Sequence, residues 1–150
     1  MNEEEIQNIQ RIVVEHFTRQ LGGDQEKVEV ALREIAAAIQ KEGDKLIYSD
    51  ITKEIVFLIS VRGKNIVEFH AMIGGNPKEE EKFNMLEKEL PYLFEKLKSL
   101  GVYVAYISSP VKLFGPFKKL LDKFGFKNSK EFKDDKTPVI AYYKTLFNGT

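Results

Sequence analysis

Residues 65–100 read NIVEFHAMIGGNPKEEEKFNMLEKELPYLFEKLKSL, a strand, a glycine turn and a long helix in succession. Over Ile66 to Ile73 the side chains alternate. Val67, Phe69, Ala71 and Ile73 make one apolar face, while Ile66, Glu68, His70 and Met72 make a second face with two ionisable groups. Gly74-Gly75 breaks the strand. Asn76 then offers a cap, Pro77 a first helical residue and Glu79 an acid in the first turn. Phe83, Leu86, Leu90, Leu93, Leu97 and Leu100 recur every three or four residues, so one stripe of this helix faces a core until Gly101 ends it. Pro91 interrupts the pattern and predicts a kink or local break near residues 87–89.

Working outward, Glu3 to Leu21 forms a helix with Ile6, Ile9, Val13, Phe17 and Leu21 on one stripe. His16 stands beside that stripe and reads as a boundary residue, because no second ligand accompanies it at metal spacing. Asp24 caps a second helix reaching about Gln40, with Val28, Leu32, Ile35 and Ile39 inward. Lys45 to Ile51 and Glu54 to Val61 read as strands, and Arg62-Gly63-Lys64-Asn65 as the hairpin turn into the strand from Ile66, completing an antiparallel meander. Beyond the long helix come a buried strand from Val102 to Ile107, parallel to Ile66–Ile73 through a right-handed crossover, a helix from Val111 to Phe124, and a closing strand from Pro138 to Tyr143. The fold class is α/β (α+β): a mixed, mostly antiparallel sheet with flanking helices and one central parallel pair, in a single domain of 150 residues.

Composition excludes several functions. The chain has no cysteine, which removes disulfides, thiolate metal sites and cysteine nucleophiles. No apolar run is long enough to span a bilayer, and the start Asn2-Glu3-Glu4-Glu5 is unlike a signal peptide, so a cytoplasmic, soluble protein with no membrane partner is expected. Net formal charge is zero, which makes nucleic acid an unfavoured partner. Residues 111–150 nonetheless carry nine lysines against four acids. That surplus is read as a solvated surface or as a site for a phosphate-bearing ligand. A nucleic-acid surface there would need aromatic platforms, and Phe132 is the only aromatic within the lysine run.

The order of elements, with Phe117-Lys118-Lys119-Leu120-Leu121-Asp122-Lys123-Phe124-Gly125-Phe126 closing a helix, resembles the GCN5-related N-acetyltransferase (GNAT) fold. The resemblance spans roughly residues 1–146, without the family's usual first strand ahead of the helices. It implies acetyl-coenzyme A (acetyl-CoA) lying between Ile66–Ile73 and Val102–Ile107. Backbone groups near Met72 would hold the thioester carbonyl, and Gly74, Gly75 and Asn76 would offer donors to the pyrophosphate. Ser108 would contact the acyl or amide group, unless Ser108-Ser109 caps the next helix. No metal is implied. Two departures stand out: the family's glycine-rich pyrophosphate loop is replaced by Pro77-Lys78-Glu79-Glu80-Glu81-Lys82, and the tyrosine that protonates the departing thiolate by Leu121. Tyr103 or Tyr106 is the candidate substitute.

Glu68 and His70 lie two apart on one strand face and are the candidate bases for an amine; the alternative is that they pair with exposed lysines. With both cofactor motifs altered, the expected function is a non-catalytic or weakly active GNAT-like module for binding or assembly with a protein partner, similar to degenerate members encoded by phages. The alternative is an acetyl-CoA-dependent N-acyltransferase acting on an amine substrate. A homo-oligomer is open in either case. An open slot lined by Glu68 and His70 would favour the enzyme, and a slot filled by side chains the binding module.

Overall fold

The computed structural model describes residues 2–110, 114–129 and 139–147. Two helices come first, α1 (Glu3–Gln20) and α2 (Gln25–Glu42). Each starts where its cap dictates. The Asn2 side chain accepts the Glu5 N–H at 2.8 Å, and the Asp24 carboxylate accepts the Glu26 and Lys27 N–H groups. Then follow β1 (Lys45–Tyr48), β2 (Ile55–Gly63), β3 (Ile66–Ile73), α3 (Glu79–Ser99), β4 (Val104–Pro110), α4 (Phe114–Lys123), β5 (Lys127–Ser129) and β6 (Val139–Thr145). The sheet order is β1-β2-β3-β4-β6-β5, antiparallel except for β3 with β4. This is the expected mixed sheet with one parallel pair.

The two faces of β3 bury against different layers. Val67, Phe69 and Ile73 pack with Leu86, Leu90, Leu93, Phe94 and Leu97 of α3 and with Leu120 and Leu121 of α4. Met72 packs with Val56 of β2 and with Ile9, Ile12 and Val13 of α1. Each such side chain contributes about 1.5–3 kcal/mol when fully buried. Helix α2 is the least anchored, with Val28 its buried residue.

Several boundaries differ from the sequence reading. Strand β1 stops at Tyr48, not Ile51, because the chain turns to meet α3: the buried Glu89 carboxylate accepts the Ser49 hydroxyl and, at 2.8 Å, the Thr52 N–H. Helix α3 begins at Glu79 with Lys78 as cap residue, leaving Asn76 and Pro77 outside; the Glu81 carboxylate reaches back to the Lys78 N–H at 3.4 Å and fixes that start. The helix runs through Pro91 without the expected break, with that proline exposed and α3 anchored on both sides by Glu89, Leu90, Leu93 and Phe94. Strand β4 begins two residues later than expected, since the Tyr103 N–H is taken by the Asn65 carbonyl, and it extends to Pro110 by pairing with β6. The short β5 was not anticipated. Residues 111–113 and 130–138, which include the expected helix start at Val111, the Phe132 lysine run and Pro138, lie outside the described residues.

Candidate active site between the central parallel strands

Strands β3 and β4 are paired only at Ile66–Val104, Val67–Ala105 and Glu68–Tyr106. Beyond Glu68, β3 keeps only β2 and β4 keeps only β6, so the two strands separate and leave a cleft of about 400 Å³. Its walls include His70, Ala71 and Met72 of β3, Ile107 and Ser108 of β4, Phe83 and Leu86 of α3, Phe117 of α4, and His16, Phe17, Arg19 and Gln20 of α1.

At the apex stands Glu68, 8% exposed. Its Oε1 accepts Arg62 Nε at 2.9 Å and lies 2.8 Å from Nη2; its Oε2 lies 3.2 Å from His70 Nε2 and 3.4 Å from Ser108 Oγ. Glu68 and His70 therefore pair with each other and with Arg62, and the alternative of exposed lysine partners is not what the site contains. Burial, reinforced by the Arg62 guanidinium and opposed by the Glu68 carboxylate, holds the His70 pKa below the ordinary imidazole value. The ring is thus neutral at pH 7. Nε2 lies against the Glu68 carboxylate, a contact that becomes an ion pair once the ring is protonated, which leaves Nδ1 as the nitrogen for proton uptake.

Of the other expected site residues, Met72 and Ser108 line the cleft, whereas Gly74, Gly75 and Asn76 follow β3 and are not among its lining residues. The Gly74 N–H continues the sheet, donating to the Glu54 carbonyl at 3.0 Å, so its neighbour Ile73 directs its N–H and carbonyl to the opposite edge. By the same alternation Met72 turns its backbone to β2 while Ala71 turns its N–H and carbonyl into the cleft. The Gly75 N–H donates to the Glu15 carboxylate at 2.8 Å, and Asn76 is exposed ahead of Pro77. Of the residues considered for a proton donor, Leu121 is buried beneath the sheet, and Tyr103 is exposed against Phe147. Tyr106 stands beside Glu68 at the apex and packs on Tyr143.

His16 is half-buried, as a boundary residue would be, but it has a tertiary role the sequence reading did not foresee. It lines the cleft, and its Nδ1 accepts the Ile73 N–H at 3.2 Å, a tertiary contact to which no spacing within α1 points. Burial, with Arg19 and Lys82 nearby, lowers its pKa to about 4. The unfolded chain therefore binds one proton more between pH 6.5 and 4. The resulting stability is complete above pH 6.5 and is lost as pH falls towards 4, at most about 3 kcal/mol. Urea unfolding across that range should show the fall in the wild type and lose this component in His16→Gln, whose amide oxygen still accepts from Ile73. Parallel curves for the two proteins would refute the assignment.

Among the described residues no helix is long and apolar enough to cross a membrane, and no group of three or more potential ligands is placed to hold a metal ion. No protein-family model and no curated protein matches the sequence. Solved structures do match. An aminoglycoside 6′-acetyltransferase type Ii is similar with a TM-score of 0.68 and 13% identity, over 99% of this chain and 95% of its own. An acetyltransferase of the GNAT family from Staphylococcus aureus gives 0.61 at 12% identity, over 98% and 96%. The PaiA N-acetyltransferase from Thermoplasma acidophilum, in complex with coenzyme A, gives 0.59 at 14% identity, over 97% and 95%. The fold is therefore the GNAT fold.

Proposed function

We propose that the protein is an acyl-CoA-dependent N-acyltransferase, and that the cleft between β3 and β4 is its active site. The observation that carries this reading is the open cleft itself, lined by His70, with Glu68 behind that ring where the two strands part and not in the cleft wall. A module that had given up catalysis would have that slot filled by side chains, so the binding and assembly reading is the less favoured of the two.

The cleft suits an acyl-CoA arm. Ala71 presents a strand edge to its amides, and Phe83, Leu86, Ile107 and Phe117 provide apolar walls. Bound there, acetyl-CoA would supply the acetyl group as a thioester. The chain's own residues do the rest. His70 Nδ1 takes a proton from the attacking amine, and the Glu68 carboxylate, 3.2 Å from Nε2, stabilises the imidazolium that forms. Arg62 pairs with one oxygen of Glu68, and the Ser108 hydroxyl reaches the other. Tyr106, at the apex, is the candidate to return a proton to the departing sulfur.

The test is thiol release from acetyl-CoA, followed against pH with an aminoglycoside, a polyamine and an N-terminal peptide as acceptors. Amine-dependent release is expected, with an acid limb in kcat/KM below pH 6.5, where an unperturbed imidazole would titrate. Release that ignores the amine, or none with any acceptor, would contradict the reading.

A further inference from the structure

The loop that should cradle phosphate has little backbone left to offer. The Ile73 N–H is taken by His16, the Gly74 N–H by the Glu54 carbonyl, the Gly75 N–H by Glu15 and the Lys78 N–H by Glu81, while Pro77 has none. Of the loop's backbone donors the Asn76 N–H remains, so an anion at the cleft mouth needs side-chain cations as well.

Two cations stand there. Arg19, in the last turn of α1, is half-buried and lines the cleft. Its Nη2 donates to the Ile73 carbonyl at 2.9 Å and its Nη1 to the Gly75 carbonyl. A guanidinium has five N–H groups, so three are left over from these two bonds among the described residues. The partners are also neutral. Arg11 is balanced by Glu15 and Glu54, and Arg62 by Glu68, whereas Arg19 is anchored by backbone oxygens that fix its direction without cancelling its charge. Lys82, in the first turn of α3, lines the same mouth with its Nζ 3.0 Å from the Glu79 carboxylate. Glu79 is 61% exposed, and an exposed pair three residues apart on a helix exchanges readily for a stronger anion. Both cations line the same cleft as His16.

We propose that Arg19 and Lys82, rather than the β3–α3 loop, hold the diphosphate of the acyl-CoA, with Glu79 as the ion it displaces from Lys82. This rests on the function proposed above and names the contacts by which that cleft takes a nucleotide-bearing ligand. Helix α1 then serves two purposes at once. His16 and Arg19 close the strand edge at Ile73, so the arm pairs no further than Ala71 and must turn there towards the cations.

The experiment compares acetyl-CoA with S-acetylpantetheine, which has the arm without the nucleotide phosphates. Affinities are taken by calorimetry, and KM from thiol release. Arg19→Gln and Lys82→Gln should each weaken acetyl-CoA about 10- to 100-fold, the range for a charge-assisted contact, and leave S-acetylpantetheine unchanged. Glu79→Gln should tighten acetyl-CoA at low salt and increase the loss of affinity on adding salt, because the more positive site is more strongly screened. Equal weakening of both ligands would mean that Arg19 and Lys82 only support the fold, and unchanged affinities would mean that they play no part; either result overturns the proposal. A wild-type chain that binds neither ligand would overturn the acyltransferase reading itself, and this inference with it.

Discussion

Replacing His70 by Asn is expected to lower the rate of acetyl transfer about 10²- to 10⁴-fold at pH 7 with acetyl-CoA affinity almost unchanged, the range ordinarily contributed by a positioned general base. The expectation follows from how the ring is held. Nε2 is 3.2 Å from Glu68, and burial holds the pKa below the ordinary value, so the neutral ring presents Nδ1 as an acceptor throughout the physiological range. Asparagine can still donate to Glu68 but cannot take a proton from an amine. Glu68→Gln should fall between the wild type and His70→Asn, because the amide keeps a hydrogen bond to the ring and loses the charge that stabilises its protonated form. It should also shift the acid limb of the rate profile further down, since Glu68 raises the His70 pKa. Full activity in His70→Asn would remove the residue from the chemistry and pass the base role to water or to the amine's own ionisation.

The second large effect concerns stability. Glu89→Ala should lower it by about 3 kcal/mol, because truncating one member of a buried polar cluster leaves the others desolvated and unpaired. Glu89 is 1% exposed and holds both Ser49 and the Thr52 N–H, so the turn between β1 and β2 is fastened to α3 through this one carboxylate. For a chain of this length the melting temperature should fall by roughly 6–12 °C. Glu89→Gln retains the carbonyl acceptor and should recover part of the loss. A melting temperature unchanged in Glu89→Ala would show that the turn finds water instead.

The elements read most cleanly from the sequence were those whose pattern is set within one segment. Strand β3 runs from Ile66 to Ile73 as read, with both its faces packed, and the leucine stripe of α3 is buried from Leu86 to Leu97 as its spacing predicts. The features missed all depend on partners far along the chain. Lys127-Asn128-Ser129 has no strand-forming composition and is a strand because Tyr143, Tyr142 and Ala141 lie beside it. Glu89 resembles any polar residue on a helix until Ser49 and Thr52 meet it. In the cleft, Glu68 and His70 could be paired from their period of two. Arg62 was within reach as well: it belongs to the other arm of the same hairpin, where the register is shifted between Val61 and Gly63. The contacts of His16 and Arg19 with Ile73 and Gly75 span more than fifty residues and leave no mark on local pattern.

The most direct test of the central claim is a calorimetric titration of the chain with acetyl-CoA, repeated on Ala71→Phe, which places a ring where the β3 edge faces the cleft. Saturable one-to-one binding, with a dissociation constant between about 1 μM and 1 mM as is usual for enzyme substrates, is expected for the wild type and should be abolished in the variant. No binding by the wild type at millimolar acetyl-CoA, or equal binding by a correctly folded Ala71→Phe, would contradict the assignment of the cleft as an acyl-CoA site.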